Sequence, residues 1–285
     1  MRRKIFSLYV VMDMSESMSW KDSTGEAKIR TAMEIVPGII EIAEKNTAVA
    51  AALRVSVIGF NQTASEIFEP SLPLVDRDAL ELREWWRNSK ESIYRNCSGQ
   101  TYFSVMFEQL NRVIRRDQRQ FDPNKYELYR PVVYLLTDGK PEGQCETSAA
   151  IESALSALRT EKDNVKAPAI LAIGIGDDVN RNNIVQYAAG RLIRRWRHDA
   201  EKGKDVAEYS NGNYVRGNEA MAFVFKGDKT AYQLKSINRA VLQSVVNSIQ
   251  ERSENYSNSK LSVIGAGEPD FSRGFAMILD SNERL

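Results

Sequence analysis

Ile5-Phe6-Ser7-Leu8-Tyr9-Val10-Val11-Met12-Asp13-Met14-Ser15-Glu16-Ser17 runs from a nearly unbroken apolar stretch straight into a carboxylate and two hydroxyls. The apolar part, 5–12, is too short to cross a bilayer. It also lacks the alternation of a strand with one wet face, so it reads as a strand buried on both faces. Open α/β sheets place their ligands beyond the carboxyl ends of such strands. Asp13, Ser15 and Ser17 therefore fall where a binding loop belongs. One carboxylate with small hydroxyls is a hard-oxygen set, suited to Mg²⁺, Mn²⁺ or Ca²⁺ rather than to zinc or copper.

Three further runs share that character: 53–60, 131–137 and 169–175, each rich in Val, Ile and Leu and each passing into Gly, Asn or Asp. Segments with helical spacing lie between them. Ser23-Thr24-Gly25-Glu26 has the pattern of a capping box and predicts a helix through about Asn46, with Ile29, Met33, Val36 and Ile40 on its apolar face and a kink at Pro37. Residues 102–119 carry Phe103, Phe107, Leu110 and Ile114 on one stripe. Residues 148–163 carry Ile151, Leu155 and Leu158, and residues 232–252 carry Leu234, Ile237, Val241, Val245 and Ile249. This alternation predicts a doubly wound, mostly parallel sheet of about six strands flanked by helices on both faces. Glu66-Ile67-Phe68 is expected as an antiparallel edge strand, with a weaker strand in 212–215 or 221–225. Residues 191–217 read as a helix extension and a loop, and 253–285 as a linker and tail after a domain at 1–252.

Composition excludes several classes. Lys+Arg 39 against Asp+Glu 38 leaves almost no net charge, so bulk electrostatics favour neither nucleic acid nor an anionic membrane as partner. Arg2-Arg3-Lys4 before an apolar run imitates a secretory signal, but Asp13 ends the run and no small-residue cleavage site follows. Two cysteines, Cys97 and Cys145, are too few for a disulfide scaffold and fit a reduced, cytoplasmic setting.

Two more motifs converge on the first loop. Ser98-Gly99-Gln100-Thr101 opens the helix at 102–119, and Thr137-Asp138-Gly139 ends the run at 131–137. If the strands at 5–12 and 131–137 are neighbours where strand order reverses, Asp13, Ser15, Ser17, Thr101 and Asp138 surround one crevice. Two carboxylates and three hydroxyls, completed by water, satisfy a hard divalent ion and leave one position open.

Asp-x-Ser-x-Ser after the first strand, a threonine in a glycine-containing second loop and Asp-Gly after the fourth strand resemble a von Willebrand factor type A domain with an intact metal-ion-dependent adhesion site. The resemblance covers roughly residues 4–252. It implies a Rossmann-like fold and a metal-dependent protein-interaction module, Mg²⁺ being the first choice, in which a partner supplies a Glu or Asp to the ion. Ser15, Ser17 and Thr101 would bind directly, and Asp13 and Asp138 mainly through water. The chain is most similar to stand-alone bacterial TerY-like proteins, which implies a stress-response or phage-defence system akin to tellurite resistance, with kinase or phosphatase components of the same gene cluster as partners. Two departures stand out. Glu16 replaces a usual glycine and is placed to approach the ion, and Gln100 replaces a second glycine.

The remaining features read more plainly. Arg191, Arg194, Arg195, Trp196 and Arg197 are either a docking cluster or a solvated helix face. Trp85-Trp86 reads as core packing of a helix at 76–90, Gly174-Ile175-Gly176-Asp177-Asp178 as a tight turn, and the cysteines as unrelated thiols. The lone His198 is far in sequence from every metal-site loop, so no hydrolytic triad can be assembled. A Mg²⁺-dependent phosphatase of the haloacid-dehalogenase type needs a second aspartate where Ser15 stands. No Gly-x-x-x-x-Gly-Lys-[Ser/Thr] sequence exists. A structural subunit with a vestigial metal site is the third alternative.

Overall fold

The computed structural model describes residues 2–69, 78–161, 165–189, 193–199, 204–209, 214–215 and 222–225, with Leu234, Asn238, Arg239 and Leu242. The strands of the main sheet are β1 (Arg3–Asp13), β2 (Leu53–Phe60), β3 (Ala64–Phe68), the short β4 (Tyr126–Leu128), β5 (Val132–Thr137), β6 (Ala169–Ile175) and β10 (Ala222–Phe225). Their order is β10-β6-β5-β1-β2-β3, with β4 added to the start of β1. Every pairing is parallel except that of β3 with β2. The edge strand is therefore antiparallel, as its short turn from β2 predicts.

The apolar runs are continuous because both faces of the sheet are covered. Along β1, Phe6, Leu8, Val10 and Met12 enter one core with Ile29, Val36, Ile39 and Leu82. Tyr9 and Val11 enter the other with Phe103, Phe107, Leu110 and Leu155. Each fully buried aliphatic or Phe side chain contributes roughly 1.5–3 kcal/mol of apolar transfer, so one strand anchors both layers. Helices α1 (Lys28–Met33), α2 (Ile35–Lys45), α3 (Thr47–Ala52) and α4 (Asp78–Arg95) precede α5 (Phe103–Gln120), α6 (Ser148–Arg159) and α7 (Arg181–Ala189). In α5, Phe103, Met106, Phe107, Leu110, Val113 and Ile114 are all buried, the single-stripe pattern of a helix laid on a sheet.

Three expectations are corrected. The single helix expected to run to about Asn46 is two shorter ones, α1 and α2, with α3 following before β2. It breaks at Glu34, and Pro37 then falls in the first turn of α2, where its missing N–H costs nothing. The capping box is a turn instead: Asp22 Oδ1 accepts from the Thr24 amide at 2.8 Å and, in a short contact, from the Thr24 hydroxyl, while Glu26 N donates to Thr24 Oγ1 at 3.3 Å. With Thr24 so engaged, α1 starts at Lys28 after Ala27. Finally, the described parts of 191–217 form a separate antiparallel sheet, β7 (Ile193–Asp199), β8 (Lys204–Tyr209) and β9 (Tyr214–Val215). In register, Arg195 pairs with Glu208 and Asp199 with Lys204.

Of the predicted helix at 232–252, Leu234, Asn238, Arg239 and Leu242 are described and helical, with Leu234 and Leu242 buried. Ile237, Val241, Val245, Ile249 and the tail at 253–285 lie outside the described residues. Asn238 Nδ2 donates to Ile35 O at 2.8 Å, across a gap kept open by Gly38, where a Cβ would lie 2.5 Å from that nitrogen. Trp85 and Trp86 pack as expected, partly buried, with Trp85 5.2 Å from Phe68. Among the described residues, no helix is long and apolar enough to cross a membrane.

Candidate functional site

The strand order reverses between β1 and β5, and there the loops meet. Asp13 ends β1. Its Oδ1 accepts from the Ser15 amide at 2.9 Å, and its Oδ2 from the Thr137 hydroxyl at 2.6 Å. Thr137 Oγ1 in turn accepts from Gly139 N at 2.9 Å, which turns the chain so that Asp138 follows the strand end. The Ser15 and Ser17 hydroxyls lie 3.2 Å apart. The second loop is tied to the first by backbone bonds, Ser98 N to Met14 O at 2.9 Å and Glu16 N to Gly99 O at 3.0 Å. Gly99 adopts φ +75° there and Gly139 adopts φ +74° in the third loop, a conformation that costs glycine little. Glu142 N donates to Thr101 O at 3.1 Å, closing the third loop onto the second.

Asp13, Ser15, Ser17, Thr101 and Asp138 are all buried, none more than 3 % exposed. Burial, and then the Asp138 charge, push the Asp13 carboxyl up to about 7. Two acids close enough to oppose each other's ionisation are costly to bury without a cation. Thr101 Oγ1 is buried and has no hydrogen-bond partner, an arrangement that leaves a polar atom's desolvation uncompensated. Among the described residues no three His, Cys, Asp or Glu side chains gather in a way that holds a metal. Any divalent ion here therefore depends on the Ser and Thr hydroxyls. The donor set fits a hard cation: oxygens only, two of them acidic, one lacking a partner.

Sequence reading missed four contributors. Lys28, buried in the first turn of α1, donates to Asp138 Oδ2 at 3.1 Å and pairs with Asp178 Oδ1 at 2.6 Å. Asp178 also pairs with Lys140. Burial alone would raise Asp178, but the hydrogen bonds from Lys140 and Lys28 outweigh it and hold the carboxyl at about 2. Glu146, the fourth, caps α5 from outside its sequence, accepting from Phe103 N at 2.8 Å and from the Ser104 amide and hydroxyl. A carboxylate at a helix start is stabilised by the helix dipole.

Other expectations resolve plainly. Glu16 is exposed, outside the buried set, because its amide is held by Gly99 O and its side chain faces outward. The turn after β6 is tight, with Gly176 at φ +110°. Cys97, partly buried, and Cys145, exposed, are both free thiols. Burial and the nearby Asp13 charge push Cys97 up to about 12. Trp20, 52 % exposed, stands beside the crevice, its ring next to Lys28.

No family model and no curated protein matches the chain. Among solved structures, proximal thread matrix protein 1 from the mussel byssus aligns with a TM-score of 0.52 at 16% identity, covering 85% of this chain and 48% of that one. An aerotolerance-related membrane protein from Bacteroides fragilis NCTC 9343 aligns at 16% identity and TM-score 0.43, covering 82% and 96%. Manganese-loaded Plasmodium vivax TRAP protein aligns at 17% and 0.41, covering 67% and 65%. The fold is a Rossmann-like, doubly wound α/β fold, and its architecture is shared with the mussel protein. This chain spans about half the length of the mussel protein, and at such identities the likeness concerns architecture alone. In this sheet, the crevice between β1 and β5 is the topological switch point, where ligands of open α/β sheets bind.

Proposed function

We propose that this chain is a metal-dependent protein-interaction module without catalytic activity of its own. Asp13, Ser15, Ser17, Thr101 and Asp138 would hold one divalent cation, Mg²⁺ first and Mn²⁺ or Ca²⁺ as substitutes. When bound, the ion supplies a Lewis-acidic position that a carboxylate of a partner protein can fill. The observation that carries the reading is the Thr101 hydroxyl, buried and unpartnered in a loop bonded to both carboxylate-bearing loops. Asp13 is fixed by Thr137 and the Ser15 amide, so its orientation is set before any ligand arrives, the arrangement that lowers the cost of binding.

The resemblance to TerY-like proteins extends the reading to a cytoplasmic component of a bacterial stress-response or defence system, with kinase or phosphatase components of its gene cluster as the first partners to test. The phosphatase alternative lacks its general acid, since Ser15 holds that place.

Two measurements test the proposal. Mg²⁺ or Mn²⁺ should raise the melting temperature of wild type but not of Asp13→Ala. Capture of a cluster-encoded partner should require both the ion and Asp13. Partner binding indifferent to chelator and to Asp13→Ala overturns the mechanism, and hydrolysis of generic phosphomonoesters by the purified chain would restore the enzyme reading.

A further inference from the structure

Lys28 sits in a seat built from four sides. Its side chain is 3 % exposed, and its ammonium spans Asp138 Oδ2 at 3.1 Å and Asp178 Oδ1 at 2.6 Å. Gly176 supplies the floor: at φ +110°, a Cβ there would lie 3.0 Å from both Cδ and Cε of Lys28. The Trp20 ring lies on another side, its centroid 5.9 Å from Nζ, and Trp20 O accepts the Lys28 amide at 3.1 Å. The charged groups around the ammonium are Asp138, Asp178 and, through Asp178, Lys140. Lysine is rarely buried unless paired, and here the pair is with a carboxylate of the candidate ion site.

We propose that Lys28 is the resident counter-charge of this site, occupying one oxygen of Asp138 so that the loops hold a divalent cation weakly until a carboxylate from the partner joins it. The inference rests on the metal-dependent reading above. Two carboxylates and one ammonium leave a single net negative charge, and affinity for hard divalent cations follows the charge count of the site. The fixed ammonium repels a divalent ion with twice the force of a unit charge at the same distance, and attracts an incoming carboxylate. Lys28 thereby lowers affinity for the ion alone and raises affinity for the acidic ligand that joins it. It also discriminates against neutral side chains at the open position, which bring no charge to offset the ammonium. Asp178 sets the strength of the effect, because it draws part of the ammonium's field away from Asp138.

The test titrates Mn²⁺ alone, and then Mn²⁺ with excess acetate as the carboxylate probe, into wild type, Lys28→Met, Asp178→Asn and Asp13→Ala by calorimetry, with circular dichroism reporting the fold. Lys28→Met should bind Mn²⁺ about tenfold more tightly than wild type, and acetate should strengthen Mn²⁺ binding more in wild type than in Lys28→Met. Asp178→Asn, a change at a half-exposed side chain, should weaken Mn²⁺ several-fold. It keeps the inference testable if Lys28→Met fails to fold. Asp13-dependent binding that is no tighter in Lys28→Met, or is unchanged in Asp178→Asn, overturns the role of Lys28 and leaves the ion site standing. Binding that is absent from both wild type and Lys28→Met, or that survives in Asp13→Ala, overturns the ion site and this inference with it. Binding seen in Lys28→Met alone supports both.

Discussion

Two buried acids on the same strand-and-helix layer meet opposite fates. Asp117, near the end of α5, accepts from the Tyr9 hydroxyl at 2.9 Å and from Arg116 at 2.7 Å. Arg116 also grips Glu66 of the edge strand at 2.7 and 2.8 Å. One guanidinium touches both carboxylates there, and the result ties β1, β3 and α5 together. At the carboxyl end of the sheet, Asp13 has two hydrogen bonds but faces Asp138, and Thr101 beside it lacks a partner. The first cluster is complete and holds structure. In the second, the one ammonium, Lys28, reaches Asp138 and is not bonded to Asp13, and the Thr101 hydroxyl has no partner; incompleteness of that kind in a rigid setting marks a ligand site.

The largest expected effect separates the two clusters outright. Asp138→Ala should abolish ion-induced thermal stabilisation while keeping the circular-dichroism spectrum, whereas Asp117→Asn should lower the melting temperature and leave the ion response intact. An ion response lost equally in both would erase the distinction. Thr101→Val sharpens it further. Removing an unpartnered hydroxyl without changing volume should raise ion-free stability by about 1 kcal/mol, seen in urea unfolding, while ion binding disappears.

Arg116→Ala leaves Glu66 and Asp117 without their cation and should cost about 2 kcal/mol, below the range for fully buried pairs because the guanidinium is 38% exposed. Chemical denaturation measures it. Next comes pH. Asp13 in the folded chain titrates near 7 instead of 3.8, so the ion-free protein takes up a proton on folding. Its contribution to stability is fullest below pH 4 and is lost as pH rises to about 7. In chelator, the melting temperature of wild type should therefore fall relative to Asp13→Asn across that window, and a flat difference contradicts the assignment. The smallest effect is at Glu146. Glu146→Gln should cost about 1 kcal/mol and loosen ion binding modestly by freeing the start of α5, readable as faster amide exchange at Phe103 and Ser104.

The sheet was legible because its strands are buried on both faces, which turns each into a short apolar run that neither a wet-faced strand nor a surface helix produces. The five candidate residues were picked out because they stand in the loops at strand ends, where hydrogen-bonding side chains line the crevice. Lys28 was not, since a lysine opening a helix reads as surface until the acid that reaches it from 110 residues away is seen. The β7–β9 sheet was missed for a related reason. Its first strand, Ile193-Arg194-Arg195-Trp196-Arg197-His198-Asp199, has no two apolar residues at alternate positions and so passes for a solvated helix face. Ser23-Thr24-Gly25-Glu26 failed as a capping box because Asp22 had already claimed Thr24, a competition between overlapping local motifs that spacing alone does not decide.

The amide of Asn238, lodged against the bare backbone at Gly38 and bonded to Ile35, works as a latch between segments 203 residues apart. Rolling or sliding one past the other must first strip that carbonyl of its donor in a dry interior. Even one methyl group at position 38 would take the space of that amide nitrogen and undo the latch.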